Sequence, residues 1–399
     1  MADLTDILSR TDIPRVFRNV IFALAGVALS YNITVCWQVY RHEPLREAAS
    51  RSLMAERSSF FYNSSLAEPV PVFALKLAMA AGADPDAAVR AEGLAVYTLM
   101  FFVTLFVLRA RFGAVCAGMA CFFLGANPFM GYYAMQGSSH LYALLFLLLF
   151  WHYAGAPVPS RRSALLAGLF GGMACLSRID AAWTMFLIAG LGWAAKRQAA
   201  QLKAAGLALV VALALALPYA VYQKAHYGNF FYSQGLGLRS LANIDRYGYN
   251  PAVAKPQGPL GAAAFVFRDG PAGAFSGIFS GLGRALAYEL PRVFYYKFLV
   301  VLVFLGFYAA FALKKDPLLL FMTAAVLPVL PMAAIKQVLP VGGVELRYYL
   351  LSLWGLCALA GFGLQETLAW LEAEIDKWAA RKVAGSSKTA GTPGNKRKG

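Results

Sequence analysis

Apolar residues in this chain come in long unbroken blocks separated by short polar turns, not at the three-to-four spacing of an amphipathic helix. A transmembrane helix needs about 20 such residues, and counting the blocks predicts about ten spans. The first runs from Val16 to Val39, the second from Ala88 to Leu108. The third, Phe112–Ala126, is closed by Asn127-Pro128, and Ser138–Tyr153 is the fourth. Spans five and six form a hairpin around Ser177-Arg178-Ile179-Asp180, and the seventh is Ala204–Tyr222. Val293–Leu313, Pro317–Ile335 and Tyr348–Leu364 complete the series. Two further stretches differ in kind. Pro69–Ala81 is apolar but short, and reads as a re-entrant or interfacial piece, while Ala274–Leu290 is amphipathic.

The polar segments set the orientation. With the N-terminus in the cytoplasm, the cytoplasmic turns carry Arg109/Arg111, Arg161/Arg162, Lys196/Arg197/Lys203 and Lys314/Lys315. The opposite short turns hold few cations, which predicts both termini inside. The two long loops, about 40–87 and 223–292, then face outward together. Residues 1–15 form a short cytoplasmic N-terminus, 16–365 the membrane domain, and 366–399 a basic cytoplasmic tail, disordered from about Ala384. The first block is too long for a cleaved signal and reads as a retained anchor.

Composition agrees with lipid as the solvent. Of 399 residues, 59% are hydrophobic and 14% charged, against about 25% charged in soluble domains. In hydrocarbon, helices satisfy their own backbone and such surfaces need no polar cover. The expected fold class is therefore all-α, a polytopic transmembrane helical bundle with interfacial helices on its outer face and no large soluble domain. The formal net charge of +16 is spread between the spans, so membrane and not nucleic acid is its partner. Cys36, Cys116, Cys121, Cys175 and Cys357 all fall inside apolar blocks and read as small buried hydrophobes. No Walker A, GxSxG, HExxH or helix-opening GxGxxG occurs. ATP-driven transport and the familiar hydrolase sites are not indicated.

Ionisable residues near a bundle mouth are the candidates for chemistry. Glu43-Pro44 and Glu68-Pro69 stand at the two ends of the first outer loop, each against a membrane edge. Either carboxylate has the chemistry of a general base or a cation ligand; the plainer reading is a solvated interfacial acid. Arg178 and Asp180 occupy a tight outer turn, where the arginine can bind phosphate bidentately or simply pair with the aspartate to fix the turn. Arg347 opens the last span beside Tyr348 and Tyr349; snorkelling is its plain alternative. His140, near the outer end of span four, is equally consistent with a satisfied polar residue inside the bundle. Lys224 and Arg246 belong to a scattered set of charges in the second outer loop.

Three stretches together resemble the GT-C superfamily of polyprenyl-phosphate-dependent glycosyltransferases, near the bacterial aminoarabinose and protein mannosyl transferase-like families. The first outer loop, His42-Glu43-Pro44 onward, is similar to that family's Asp-Glu followed by an amphipathic helix, and Glu68-Pro69-Val70-Pro71-Val72-Phe73 to its re-entering segment. Gly168 to Asp180 resembles the recurrent glycine-rich hairpin ending in arginine. Glu345-Leu346-Arg347-Tyr348-Tyr349 resembles the arginine-bearing start of a late span. The likeness covers about positions 15–365. The chain departs from the pattern where His42 replaces the usual catalytic Asp and His140 an arginine.

The resemblance implies a concrete reaction. A polyprenyl-phosphate sugar donor lies with its tail among the helices and its head at the outer, periplasmic face of a bacterial inner membrane. A carboxylate, Glu43 or alternatively Glu68, takes the proton of an acceptor hydroxyl on a lipid, glycan or protein. Arg178 and Arg347, with Arg246 or Lys224, stabilise the departing lipid phosphate, and His42, His140 and Asp180 complete the substrate-binding set. No cofactor is required; a divalent metal is compatible but not indicated, and no metal ligands are assigned. Two other readings fit the same spans: a transporter or lipid flippase, and a non-catalytic membrane protein of the same fold.

Overall fold

In the computed structural model of this protein the described residues are 13–45, 51–64, 68–156, 158–196, 198–228, 270–284, 290–312 and 346–389, with isolated positions 230, 267 and 287. Among them every regular element is a helix. In chain order these are α1 (Ile13–Tyr40), α2 (Arg51–Arg57), α3 (Pro69–Ala80), α4 (Pro85–Phe112), α5 (Ala114–Gly125), α6 (Pro128–Met135) and α7 (Ser139–Ala154). There follow α8 (Arg161–Ser177), α9 (Ala181–Lys196), α10 (Ala199–Tyr227), α11 (Gly270–Arg284), α12 (Leu290–Phe294), α13 (Val300–Ala312) and α14 (Leu350–Thr389). The all-α expectation holds. Span nine, Lys314/Lys315, Arg246 and most of the second long loop lie outside the described residues.

Local sequence explains the boundaries. Asp84 caps α4, its carboxylate accepting from Ala87 N–H at 2.9 Å with Pro85 in the first turn. Ser160 and Ser163 close a reciprocal capping box on α8. The short apolar segment after Glu68-Pro69 is the 12-residue α3, and the amphipathic stretch appears as α11. The final helix runs from Leu350 to Thr389.

Among the described residues four helices are long and apolar enough to cross a membrane: Val16–Tyr40, Pro85–Phe112, Ala199–Tyr227 and Leu346–Trp378. α5 and α6 form a fifth if the bent pair is counted as one span. Ten spans are not shown among the described residues, and helix length is one reason. At about 1.5 Å per residue, a 16-residue helix reaches only about 24 Å of a hydrocarbon layer about 30 Å thick. α7, α9 and α13 are apolar but fall short of that thickness.

α5 and α6 meet at 60°, which frees backbone carbonyls at the bend. Each is met by a side chain. Asn32 Nδ2 donates to both Gly125 O and Asn127 O at 2.8 Å. Tyr97 O–H donates to Leu124 O at 2.9 Å, and Tyr296 O–H to Ala126 O. Asn127 Nδ2 in turn reaches Val293 O at 3.0 Å. A non-helical break at membrane depth survives only with such partners.

α14 is the centre of the bundle, packed on α5 and α13. Trp354 is fully buried and its Nε1–H donates to Thr104 Oγ1 at 2.8 Å. α13 and α14 approach through Gly306 and Gly363: a Cβ on either would stand 2.2 Å from a carbonyl oxygen of the other helix. All five cysteines are free and buried, as expected.

Candidate functional site

The bundle has two polar ends. At one, Arg111 Nη2 donates to Trp151 O and His152 O, Gln201 Nε2 to Ala154 O, and Gln365 meets Phe112 O and Cys116 N–H. The basic turn Arg109/Arg111 and the start of α8 belong to this end. At the other, Tyr40–Glu43, Arg90, Met135, the first turn of α7 and the α8–α9 turn come together, and there the candidate site forms.

Arg178 leaves α8 in an extended conformation (φ −154, ψ 122), so the chain turns before α9 begins. Its Nε and Nη2 donate to Asp180 Oδ1 and Oδ2 at 2.9 and 3.0 Å, a fork-to-fork pair. Its Nη1 is 3.8 Å from Glu68 Oε1. Glu68 precedes Pro69 as the cap of α3 but makes no side-chain cap bond there, and turns to Arg178 instead. Burial works against the charge on Arg178, yet Asp180 and Glu68 outweigh it and hold the guanidinium above its ordinary pKa. It stays cationic at any working pH.

Tyr348 gathers the other groups. The guanidinium carbons of Arg178 and Arg347 lie 5.7 and 5.3 Å from its ring centroid. The His140 ring meets it edge-on at 4.9 Å. Ser138 Oγ is 3.3 Å from His140 Nδ1, while Nε2 is buried without a hydrogen-bond partner. His140, Arg178, Arg347 and Tyr348 line a cavity of about 130 Å³ together with Asp180 and Thr184, and most of the remaining wall is apolar, with Leu144, Leu147, Trp183 and Leu351 among its residues. Two cations and an imidazole beside an alkyl-lined wall can hold an anionic head whose tail is hydrocarbon.

The structure thus joins His140, Arg178, Asp180, Arg347 and Glu68, which are far apart in sequence. It does not bring Glu43, His42 or Lys224 to the cavity wall. Glu43 stands just past α1, where its backbone carbonyl accepts from Arg90 Nη2 at 2.5 Å; His42 is exposed. Lys224 donates to Gly228 O at 2.8 Å and faces Phe230 at 5.7 Å. Among the described residues no three His, Cys, Asp or Glu side chains group as a metal site.

Sequence reasoning passed over a second polar cluster nearby. Glu92, on α4, accepts from Tyr142 O–H at 3.1 Å, and buried Arg51 donates to Gly137 O at 2.7 Å. The available signal was an acid inside span two, since ionisable residues in a span are functional candidates by default.

No family model matches the chain, and no curated protein matches it by sequence. Its structure is similar to that of ArnT from Cupriavidus metallidurans bound to undecaprenyl phosphate. The TM-score is 0.55 at 15% identity, over 96% of this chain and 67% of that one. At this identity the likeness is one of fold. Apolar helices of spanning length and this shared architecture mark an integral membrane protein with an ArnT-like fold.

Proposed function

We propose that this protein is a membrane glycosyltransferase that takes a sugar from a polyprenyl-phosphate donor and transfers it to an acceptor hydroxyl. The observation that carries the reading is the cavity where Arg178, Arg347 and His140 surround Tyr348 beside an apolar wall. A polyprenyl phosphate needs both halves of that surface. The structural neighbour's bound undecaprenyl phosphate lends the same chemistry support.

In this reading the donor phosphate lies against Arg178 and Arg347, with His140 Nε2 as a further polar contact. Neither glutamate lines the cavity itself, but Glu68 lies 3.8 Å from the cavity residue Arg178 and is the base of choice over Glu43. The acceptor oxygen attacks the anomeric carbon as its proton passes to the carboxylate. The bond to the lipid phosphate breaks with its electron pair, and the arginines stabilise the phosphate that departs. Direct displacement inverts the anomeric centre. The site lies at the bundle end opposite Arg109/Arg111, which by the positive-inside rule faces away from the cytoplasm of a bacterial inner membrane. Both termini are then cytoplasmic. The bent α5–α6 pair resembles the broken helices of transporters, but the carbonyls at its bend already accept from Asn32, Tyr97 and Tyr296, which weighs against an ion site there.

The test is incubation of the purified protein in nanodiscs with a panel of radiolabelled polyprenyl-phosphate sugars and a bacterial envelope extract that supplies lipid, glycan and protein acceptors. Consumption of one donor with release of free polyprenyl phosphate is expected. Flux of a donor across proteoliposomes, with no bond made or broken, would replace this reading with that of a flippase.

A further inference from the structure

Behind the first turn of α7 lies a polar cluster that the proposed reaction does not use. Arg51 is 6% exposed and opens α2. Its Nη2 donates to Gly137 O at 2.7 Å, but its Nη1 is buried with no hydrogen-bond partner. Glu92 Oε2 accepts from Tyr142 O–H at 3.1 Å, while Oε1 is likewise buried and unmatched. Arg51 is within electrostatic reach of both Glu92 and Tyr142. One donor and one acceptor are therefore left open in the same buried neighbourhood, a costly state unless something occupies it.

The missing partner is defined by these two valences. An anion would satisfy Arg51 and be repelled by Glu92; a cation would do the reverse. A neutral O–H satisfies both, accepting from the guanidinium and donating to the carboxylate. We propose that Arg51, Glu92 and Tyr142 form a binding site for a single neutral hydroxyl group. The hydroxyl is supplied either by a resident water or by the substrate.

Its position makes the substrate source concrete. Tyr142 packs with Val70 and Leu176, which stand two residues from Glu68 and Arg178. His140 and Tyr142 lie on the same first turn of α7 but on different faces, one toward the arginine cavity and one toward Glu92. A sugar whose phosphate is held at Arg178 would have its ring hydroxyls near this turn. The substrate half of the inference rests on the proposed transferase function; the resident-water half does not.

The experiment uses the full chain in nanodiscs as wild type, Glu92→Met, Arg51→Met and the double variant. A high-resolution map without ligand is paired with melting temperatures and with affinities for undecaprenyl phosphate, free or carrying a hexose or pentose. A resident water appears as an oxygen between Arg51 Nη1 and Glu92 Oε1, and Glu92→Met then lowers the melting temperature without changing either affinity. A substrate hydroxyl instead makes Glu92→Met bind the sugar-bearing lipid about ten- to a hundred-fold more weakly, with free undecaprenyl phosphate unaffected. A map in which the two groups pair with each other overturns the site. So does a Glu92→Met protein with unchanged melting temperature and affinities. If neither lipid binds the wild type, the proposed function fails, and the map and melting data still decide the site.

Discussion

Replacing Arg178 with glutamine separates a phosphate ligand from a residue that merely fixes a turn. Two of the guanidinium's donor nitrogens are committed to Asp180 at 2.9 and 3.0 Å, and Nη1 is 3.8 Å from Glu68. In this geometry one nitrogen, not a full fork, can turn to an incoming phosphate. A single charge-assisted hydrogen bond contributes about 1.5–3 kcal/mol, so Arg178→Gln is expected to weaken undecaprenyl phosphate binding about ten- to a hundred-fold. A bidentate arginine would lose more. The same change strands Asp180 and Glu68, whose side chains are 35% and 22% exposed. Water reaches both, so the stability cost lies between that of an exposed pair and a buried one, about 1–2 kcal/mol. Arg178→Lys keeps the charge and should retain most of the affinity. The assay is binding of radiolabelled undecaprenyl phosphate to nanodisc-embedded protein, with melting temperature measured alongside. A glutamine variant that melts earlier yet binds the lipid with wild-type affinity refutes the phosphate role.

Four other substitutions probe three separate parts of the structure. Glu68→Gln is expected to reduce transfer at least a hundred-fold, within the range general-base catalysis supplies, while Glu43→Gln leaves turnover near wild type; single-turnover rates on a consumed donor check this, and full activity in both would end the carboxylate-base proposal. Asn32→Leu removes the donor for Gly125 O and Asn127 O and should destabilise the bundle by about 1–3 kcal/mol for each stranded carbonyl, read by thermal unfolding in detergent. Gly363→Ala forces a methyl group to 2.2 Å from Leu302 O; the resulting separation of α13 and α14 should cost about 1–3 kcal/mol, and an unchanged melting temperature would contradict the close approach.

Much of this was legible because block hydrophobicity and turn residues act locally. Pro69–Ala81 announces α3 by a proline start and an apolar run too short to span. The Ser177–Asp180 hairpin is marked by the one polar break between two apolar blocks. Block length overstates crossing length at α7 and α9, which are apolar but too short to span. The site divided in the same way. Arg178, Asp180, Arg347 and His140 were found from charge at an apolar boundary. What joins them is Tyr348, whose central position depends on the start of α14 returning beside α7, a long-range fact with no local signature. At the end of α1 Arg90 grips the Glu43 backbone carbonyl, and such main-chain roles leave no residue-type signal.

The bend between α5 and α6 also constrains how the protein is made. Asn32 and Tyr97 precede the bend in the chain, so two of the three side chains that donate to its carbonyls are already in the bilayer when residues 125–128 emerge from the ribosome. Tyr296, and the Val293 carbonyl that receives Asn127, come about 170 residues later. Until they arrive, one carbonyl and one amide at the kink have no protein partner in a solvent without water. The early half of the bundle is thus held incomplete during synthesis. A chain stopped after α10 should remain a substrate for membrane proteases and insertion chaperones even though every helix up to that point has formed.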